Sequence, residues 1–246
     1  MIEISNISKT YNGTVKAVDD LSFTVKDGEI VGFIGPNGAG KTTTIKMLTG
    51  ILRPDGGTIR INDYDMGKDS MAAKGIIGYI SDNPDMFLKL TGLEFIQFMA
   101  DIYRVPEEER KDRIERFAQV FDMQDNLGER LQSYSHGMRQ KIMVIAALVH
   151  DPAVWILDEP MVGLDPKSAY NLKQMMREHA SAGNSVLFST HVLEVAEKLC
   201  DRVIIILHGK KHFFGTIEEL KEQYKMDDLE KIFLEITGDE EHDNTV

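Results

Sequence analysis

Cysteine is almost absent. Cys200 is the only one in 246 residues, so no disulfide can form within the chain. That fits a reducing, cytosolic setting and marks Cys200 as a passive buried thiol. Long hydrophobic runs are also missing. The longest are Ile142–Val149 and Val203–Leu207, far short of the roughly 20 residues a membrane-crossing helix needs. The opening Met1-Ile2-Glu3-Ile4 lacks the basic start and apolar core of a secretory leader. Positive charge is scarce: 28 Lys and Arg stand against 40 Asp and Glu, a net charge of −12. Nucleic-acid surfaces are basic, so no broad one is expected. Internal repeats, low-complexity linkers and long heptad runs are not seen.

The chain does have the makings of a core. Its 42% hydrophobic and 28% charged residues match a globular protein. The length suits one large α/β domain, or one domain with a subdomain.

The most informative stretch is Gly35-Pro36-Asn37-Gly38-Ala39-Gly40-Lys41-Thr42-Thr43. An apolar run, Ile30–Ile34, precedes it, and a helix-like stretch, Thr44–Leu48, follows. Strand, glycine-rich turn and helix form the setting of a phosphate-binding P-loop. Its glycines let successive N–H groups converge on an anion, and the helix N-terminus adds positive potential. In this pattern Lys41 reaches the β and γ phosphates of a nucleoside triphosphate, and the Thr42 hydroxyl takes Mg²⁺.

Along the chain, Ile2, Ile4 and Ile7 predict a strand, and Tyr11–Thr14 a turn. Leu21–Val25 and Thr58–Asn62 alternate as half-exposed strands, with a turn expected at Pro54-Asp55-Gly56-Gly57. Ile76–Ile80 reads as a strand ending at Ser81-Asp82-Asn83-Pro84. From Thr91 the period becomes helical: Phe95, Ile96, Met99, Ile102 and Tyr103 share a face. Pro106 begins a second helix, whose apolar face is Ile114, Phe117, Val120 and Phe121. Residues 91–133 therefore form a helical subdomain.

A helix that is apolar nearly all round follows, to about residue 150. Ala153–Leu157 is apolar on both faces, as a central parallel strand is. Strands at Ser185–Ser189 and Val203–Leu207 alternate with helices at Ser168–Ala182 and Val192–Leu199, with Thr190-His191 as a loop. The fold class is α/β, a mostly parallel sheet flanked by helices, with antiparallel strands early in the chain. Leu229–Ile236 reads as a short helix, and Asp239–Val246 as a frayed acidic tail.

Open α/β sheets bind ligands beyond the carboxyl ends of their strands. The phosphate loop, Asp158-Glu159 and His191 all stand at such ends. A strand-end carboxylate is costly to bury alone, and Mg²⁺ shared with Thr42 and the phosphates removes that cost. Asp158 is assigned to the metal and Glu159 to the attacking water.

Gly35–Thr43, Tyr134-Ser135-His136-Gly137-Met138, Ile156–Pro160, Gly163-Leu164-Asp165-Pro166 and Ser189-Thr190-His191 resemble, in order, the motifs of an ATP-binding cassette (ABC) ATPase. That is the nucleotide-binding subunit of an ABC transporter, and the likeness covers about residues 2–220. It implies a P-loop NTPase core with an antiparallel β subdomain and a helical one. It implies one domain over residues 1–225, and a short helix with an acidic tail over 226–246.

The resemblance further implies a head-to-tail pair of cassettes, identical or not, enclosing two Mg-ATP. Gly35, Asn37, Gly38, Gly40, Lys41, Thr42 and Thr43 hold each nucleotide from one side. Ser135 and Gly137 of the other chain close over it, although Ser135 also reads as a plain N-cap. His191 contacts the γ-phosphate. Tyr11 stacks on adenine, and Asp165 belongs to a loop crossing the interface; local packing or a turn explains either one alone. Catalysis falls to Glu159, His191 and Lys41, and the metal to Thr42, Asp82 and Asp158.

The sequence departs from the pattern at Asp82, where a glutamine is common. It also departs at Tyr134–Met138, usually Leu-Ser-Gly-Gly-Gln, and at Met161, usually small and polar. Met138 is expected to pack in the core. The implied function is an ATP-hydrolysing subunit driving a separate membrane permease, in export, from the inner face of the membrane. The helical block would receive that permease, with Met86, Phe87 and Leu88 either contacting it or packing inward. A soluble ABC ATPase acting on ribosomes or DNA would usually carry tandem cassettes or coiled-coil insertions. A nucleotide-gated regulator would not need Glu159 and His191.

Overall fold

The computed structural model describes residues 1–83 and 87–243. The chain opens with β1 (Ile2–Tyr11) and β2 (Val15–Val25), joined by the expected turn. β3 (Ile30–Ile34) is buried throughout and feeds the glycine-rich loop into α1 (Lys41–Leu48). β4 (Gly56–Ile61) and β5 (Tyr64–Asp65) follow, then α2 (Ser70–Gly75) and β6 (Ile77–Ile80). The helical block holds α3 (Gly92–Ile102) and α4 (Glu107–Val120). α5 (His136–Leu148), β7 (Val154–Leu157), α6 (Pro166–Ser181) and β8 (Ser185–Thr190) complete the centre. The chain ends with α7 (Leu193–Leu199), β9 (Arg202–Leu207), β10 (Lys210–Gly215), α8 (Ile217–Tyr224) and α9 (Leu229–Asp243).

The strands form a four-stranded antiparallel sheet, β2-β1-β4-β5, and a six-stranded sheet, β10-β9-β3-β8-β7-β6. In the larger sheet β9, β3, β8, β7 and β6 run parallel, and β10 pairs antiparallel to β9. The fold class read from the sequence is the fold observed.

Alternation along the parallel strands sends neighbouring residues to opposite faces. Leu157 and Phe188 join one buried cluster with Phe95, Phe117 and Phe121 of the helical block and Ile142 and Ile145 of α5. Ile156 and Leu187 join the other, with Phe23, Phe33, Ile45 and Ile204. The helical block thus shares its core with one face of the parallel sheet.

Local chemistry fixes several helix starts. Thr91 accepts from Glu94 N at 3.1 Å while Glu94 Oε2 accepts from Thr91 N at 2.8 Å, a reciprocal cap on α3. Thr216 and Glu219 cap α8 in the same way.

Some boundaries differ from expectation. α2 and α8 are additional helices. Gly56 and Gly57, expected in a turn, open β4 because Gly56 pairs with Ser8 of β1. Thr190, expected in a loop, is the last residue of β8. α9 runs to Asp243, past Ile236 where the sequence reading ends the helix. Its Leu229, Ile232 and Ile236 are buried with Val203, Ile205 and Leu220, which anchors the helix. Pro84, Met86 and residues 244–246 lie outside the described residues.

Candidate functional site

The loop after β3 is shaped by close backbone approach. A Cβ on Gly40 would lie 2.4 Å from the Ala17 carbonyl, and Gly40 itself has φ +107°. Only glycine meets both conditions. Gly40 then starts α1, where Thr44 Oγ1 donates back to the Gly40 carbonyl at 2.9 Å.

Lys41 is buried, and its Nζ donates to the carbonyls of Gly35 at 2.6 Å and Pro36 at 3.1 Å. Burial pulls its pKa below the ordinary lysine value, while the negative charges of Glu159 and Asp158 act the other way. The ammonium therefore faces two carboxylates across the loop.

Asp158 follows β7 and is fully buried. Burial raises its pKa; the Ser189 and Thr42 hydroxyls oppose that rise, and the charges of Asp82 and Glu159 add to it. Ser189 Oγ donates to Asp158 Oδ1 at 2.6 Å. Asp158 Oδ2 is buried and has no hydrogen-bond partner among the described residues. Glu159 comes next, at φ +48°. Its N–H donates to Ser189 Oγ at 2.9 Å, and its Oε2 lies 3.0 Å from His191 Nδ1.

An open cavity of about 240 Å³ collects these groups. Its walls are Asn37, Gly38, Gly40, Lys41, Thr42 and Thr43 of the loop, with Ala17, Pro36, Asp82, Asp158 and Glu159. The predicted acids and all the predicted loop residues except Gly35 therefore line one space. Asp82 is exposed there and accepts from Ser81 Oγ at 3.1 Å.

Other predicted residues lie outside that wall. Tyr11 ends β1, 39% exposed, so its ring is open to a stacking partner. Ser135 is exposed at the N-cap of α5, where its Oγ accepts from Met138 N at 3.2 Å. A Cβ on Gly137 would lie 2.4 Å from the Gly163 carbonyl, so residues 135–137 and the turn at Gly163 pack backbone to backbone. Lys141 Nζ lies 2.7 Å from Asp165 Oδ2, joining the same segments. Asp165 also caps α6 through Ser168 N at 2.9 Å. These bonds, first among them the one from Lys141, hold its carboxyl far below the usual range. Met138 and Met161 both pack, half-buried, against the core of the helical side.

Sequence reasoning passed over Ser189 itself, reading it only as part of a motif. It also passed over Gln140, a buried polar residue in the apolar α5, whose Nε2 donates to the Pro160 carbonyl at 3.4 Å. In each case the signal was a polar residue inside an apolar element. Cys200, half-buried, packs against the core beside Gly32, and burial of its thiol pushes the pKa well up, as expected for a passive residue.

The family model described as "ABC transporter" matches residues 18–162. The chain is 35% identical over 238 residues to the ABC transporter ATP-binding protein NatA of Bacillus subtilis (strain 168), covering 95% of this chain and 97% of that one. It is 37% identical over 223 residues to the ABC-type transporter ATP-binding protein EcsA of the same organism, covering 90% of each. Among solved structures, the ATP-binding subunit of an ABC transporter superposes with a TM-score of 0.91 at 32% identity, over 96% of this chain and 99% of that one.

Proposed function

The chain belongs to the ABC transporter family, and from that premise we propose that it hydrolyses Mg-ATP between two cassettes to drive a separate membrane-spanning permease. The phosphate loop supplies N–H groups and Lys41 for the β and γ phosphates. Tyr11 offers its exposed ring to the adenine. We read residues 1–225 as the ATPase domain, with α9 docked on it.

The donor set suits Mg²⁺. Asp158 carries a buried, unpartnered carboxylate oxygen, and the Thr42 hydroxyl acts on the same carboxyl. Hard oxygen ligands of this kind are what Mg²⁺ takes, together with phosphate oxygens and water. Among the described residues no group of three or more His, Cys, Asp or Glu could hold a metal; this reading shares the ion with the nucleotide. Asp82, on the same cavity, is the third candidate. When bound, Mg²⁺ supplies charge neutralisation at the transferred phosphoryl group.

The chain's own residues do the rest. Glu159 orients and polarises the attacking water. His191 holds the Glu159 carboxylate and faces the γ-phosphate. Lys41 stabilises charge on the phosphate oxygens as the bond to the leaving group breaks.

The observation that carries the paired arrangement is the separation of parts. Loop and acids wall one cavity, whereas Ser135 is exposed on α5, outside that wall. Its hydroxyl and the N-terminus of a 13-residue helix form an anion-binding end. A second copy, turned head to tail, brings that end over the nucleotide.

Among the described residues no helix is long and apolar enough to cross a membrane; this reading gives that task to a separate permease. The helical block offers exposed Phe87 and Phe98, with ring centroids 5.5 Å apart, as an apolar seat for it. Leu88 packs against the core instead. Export is our reading of direction, supported by the form of the Tyr134–Met138 motif. The acidic charge, −12 in net, disfavours action on nucleic acid.

Sedimentation of Glu159→Gln tests this reading. The variant should bind ATP, hydrolyse it about 10²–10⁴-fold more slowly, and shift from monomer to dimer when ATP is added. A variant that stays monomeric with saturating ATP and Mg²⁺ counts against the paired site.

A further inference from the structure

We propose that Ser189 is the positioning residue that sets Asp158 and Glu159 in their working places. The inference rests on the ATPase reading above and refines it. Ser189 lies on β8, between the strand that carries the phosphate loop and the strand that carries the acids. It pairs with Phe33 of β3, and its neighbour Phe188 pairs with Leu157 of β7.

Val186, Leu187 and Phe188 just before it are buried and apolar, and Ser189 is fully buried too. A hydroxyl at such a place needs partners, because an unsatisfied one is costly. Ser189 uses its hydroxyl in both directions. Oγ donates to Asp158 Oδ1 at 2.6 Å and accepts from Glu159 N at 2.9 Å. One O–H donor and two lone pairs allow both.

Each bond does different work. Donation to Oδ1 fixes the rotation of the Asp158 carboxylate and leaves Oδ2 as its unpartnered oxygen. Acceptance from Glu159 N ties down a peptide whose φ of +48° is unfavourable for a residue with a Cβ. Once that backbone is held, the Glu159 side chain meets His191 at 3.0 Å. A single hydroxyl thus orients one acid toward the metal position and the other toward the water, without itself lining the cavity.

The test compares Ser189→Thr with Ser189→Val, which add the same bulk and differ in the hydroxyl alone. Ser189→Ala is assayed beside them. Thermal melting and equilibrium binding of a fluorescent ATP analogue, with EDTA and with Mg²⁺, accompany steady-state ATP hydrolysis.

We expect Ser189→Val to lose about 10–100-fold in kcat, with KM within about threefold of wild type. Ser189→Thr should recover most of that loss at a similar melting temperature. Binding of the analogue in EDTA should match wild type in all three variants, and its strengthening by Mg²⁺ should shrink in the Val and Ala variants. Equal kcat in the Thr and Val variants overturns the proposal, whatever the Ala variant does. Glu159→Gln serves as the control. If it turns over at the wild-type rate, the ATPase assignment of the site has failed. If it is inactive while Thr and Val match, only the role of Ser189 has failed.

Discussion

His191 Nδ1 lies 3.0 Å from Glu159 Oε2, with the imidazole exposed and the carboxylate mostly shielded. These side chains come from the ends of different strands, β7 and β8. In the proposed mechanism the contact fixes the carboxylate that handles water and leaves the other ring nitrogen for the γ-phosphate. His191→Ala should cut kcat about 10²-fold while leaving ATP binding nearly intact. Turnover at the wild-type rate would remove His191 from the mechanism.

Lys41 holds a charge between loop carbonyls and two acids, where the proposed function puts the β and γ phosphates. Lys41→Ala should weaken ATP binding by at least about 30-fold, the low end of what truncating one partner of a charged pair costs. Isothermal titration reads this directly. Unchanged affinity would mean that the loop does not bind the triphosphate.

Acid should destabilise the fold through histidines away from the site. His150 stacks on Tyr103 with centroids 3.5 Å apart, and His179 stacks on Trp155 at 4.2 Å. Burial lowers both pKa values, each to about 4, against the contacts of their rings with backbone carbonyls. In the unfolded chain the same rings take up protons from about pH 6.5 downward. The unfolded state then binds more protons, so stability falls as pH drops from about 6.5 to about 4. The slope is at most about 1.4 kcal/mol per pH unit for each histidine, less where solvent screens the ring. Urea unfolding at pH 7.5 and pH 5 checks it. Replacing both by glutamine should flatten the difference; an unchanged difference would place the acid sensitivity elsewhere.

Much of this architecture was legible from periodicity. The loop Gly35–Thr43, the buried strand before Asp158 and the helical face of Phe95, Ile96 and Met99 were readable because a strong local pattern and the fold agree. α2 was missed because its six residues, Ser70–Gly75, carry one buried side chain, Ala73, and no period. α8 was missed although Thr216 and Glu219 announced its start. The docking of α9 depends on burial of Ile232 and Ile236 against distant β9, which no local rule reports. In the site, the convergence of loop and acids followed from the rule for strand ends. The two hydrogen bonds of Ser189 did not, because they need the register of β8 against β7. Nor did the packing of Gly137 on Gly163, which joins segments far apart in sequence.

The paired site is tested most directly by mixing two dead chains. Lys41→Ala spoils the phosphate loop, and Ser135→Arg spoils the end of α5 that the proposed pairing lays over it. In a mixed head-to-tail pair, the intact loop of the second chain meets the intact Ser135 of the first. Each variant alone should be inactive, and the equimolar mixture should recover ATP hydrolysis. A mixture as inactive as its components would contradict a nucleotide site shared between two copies.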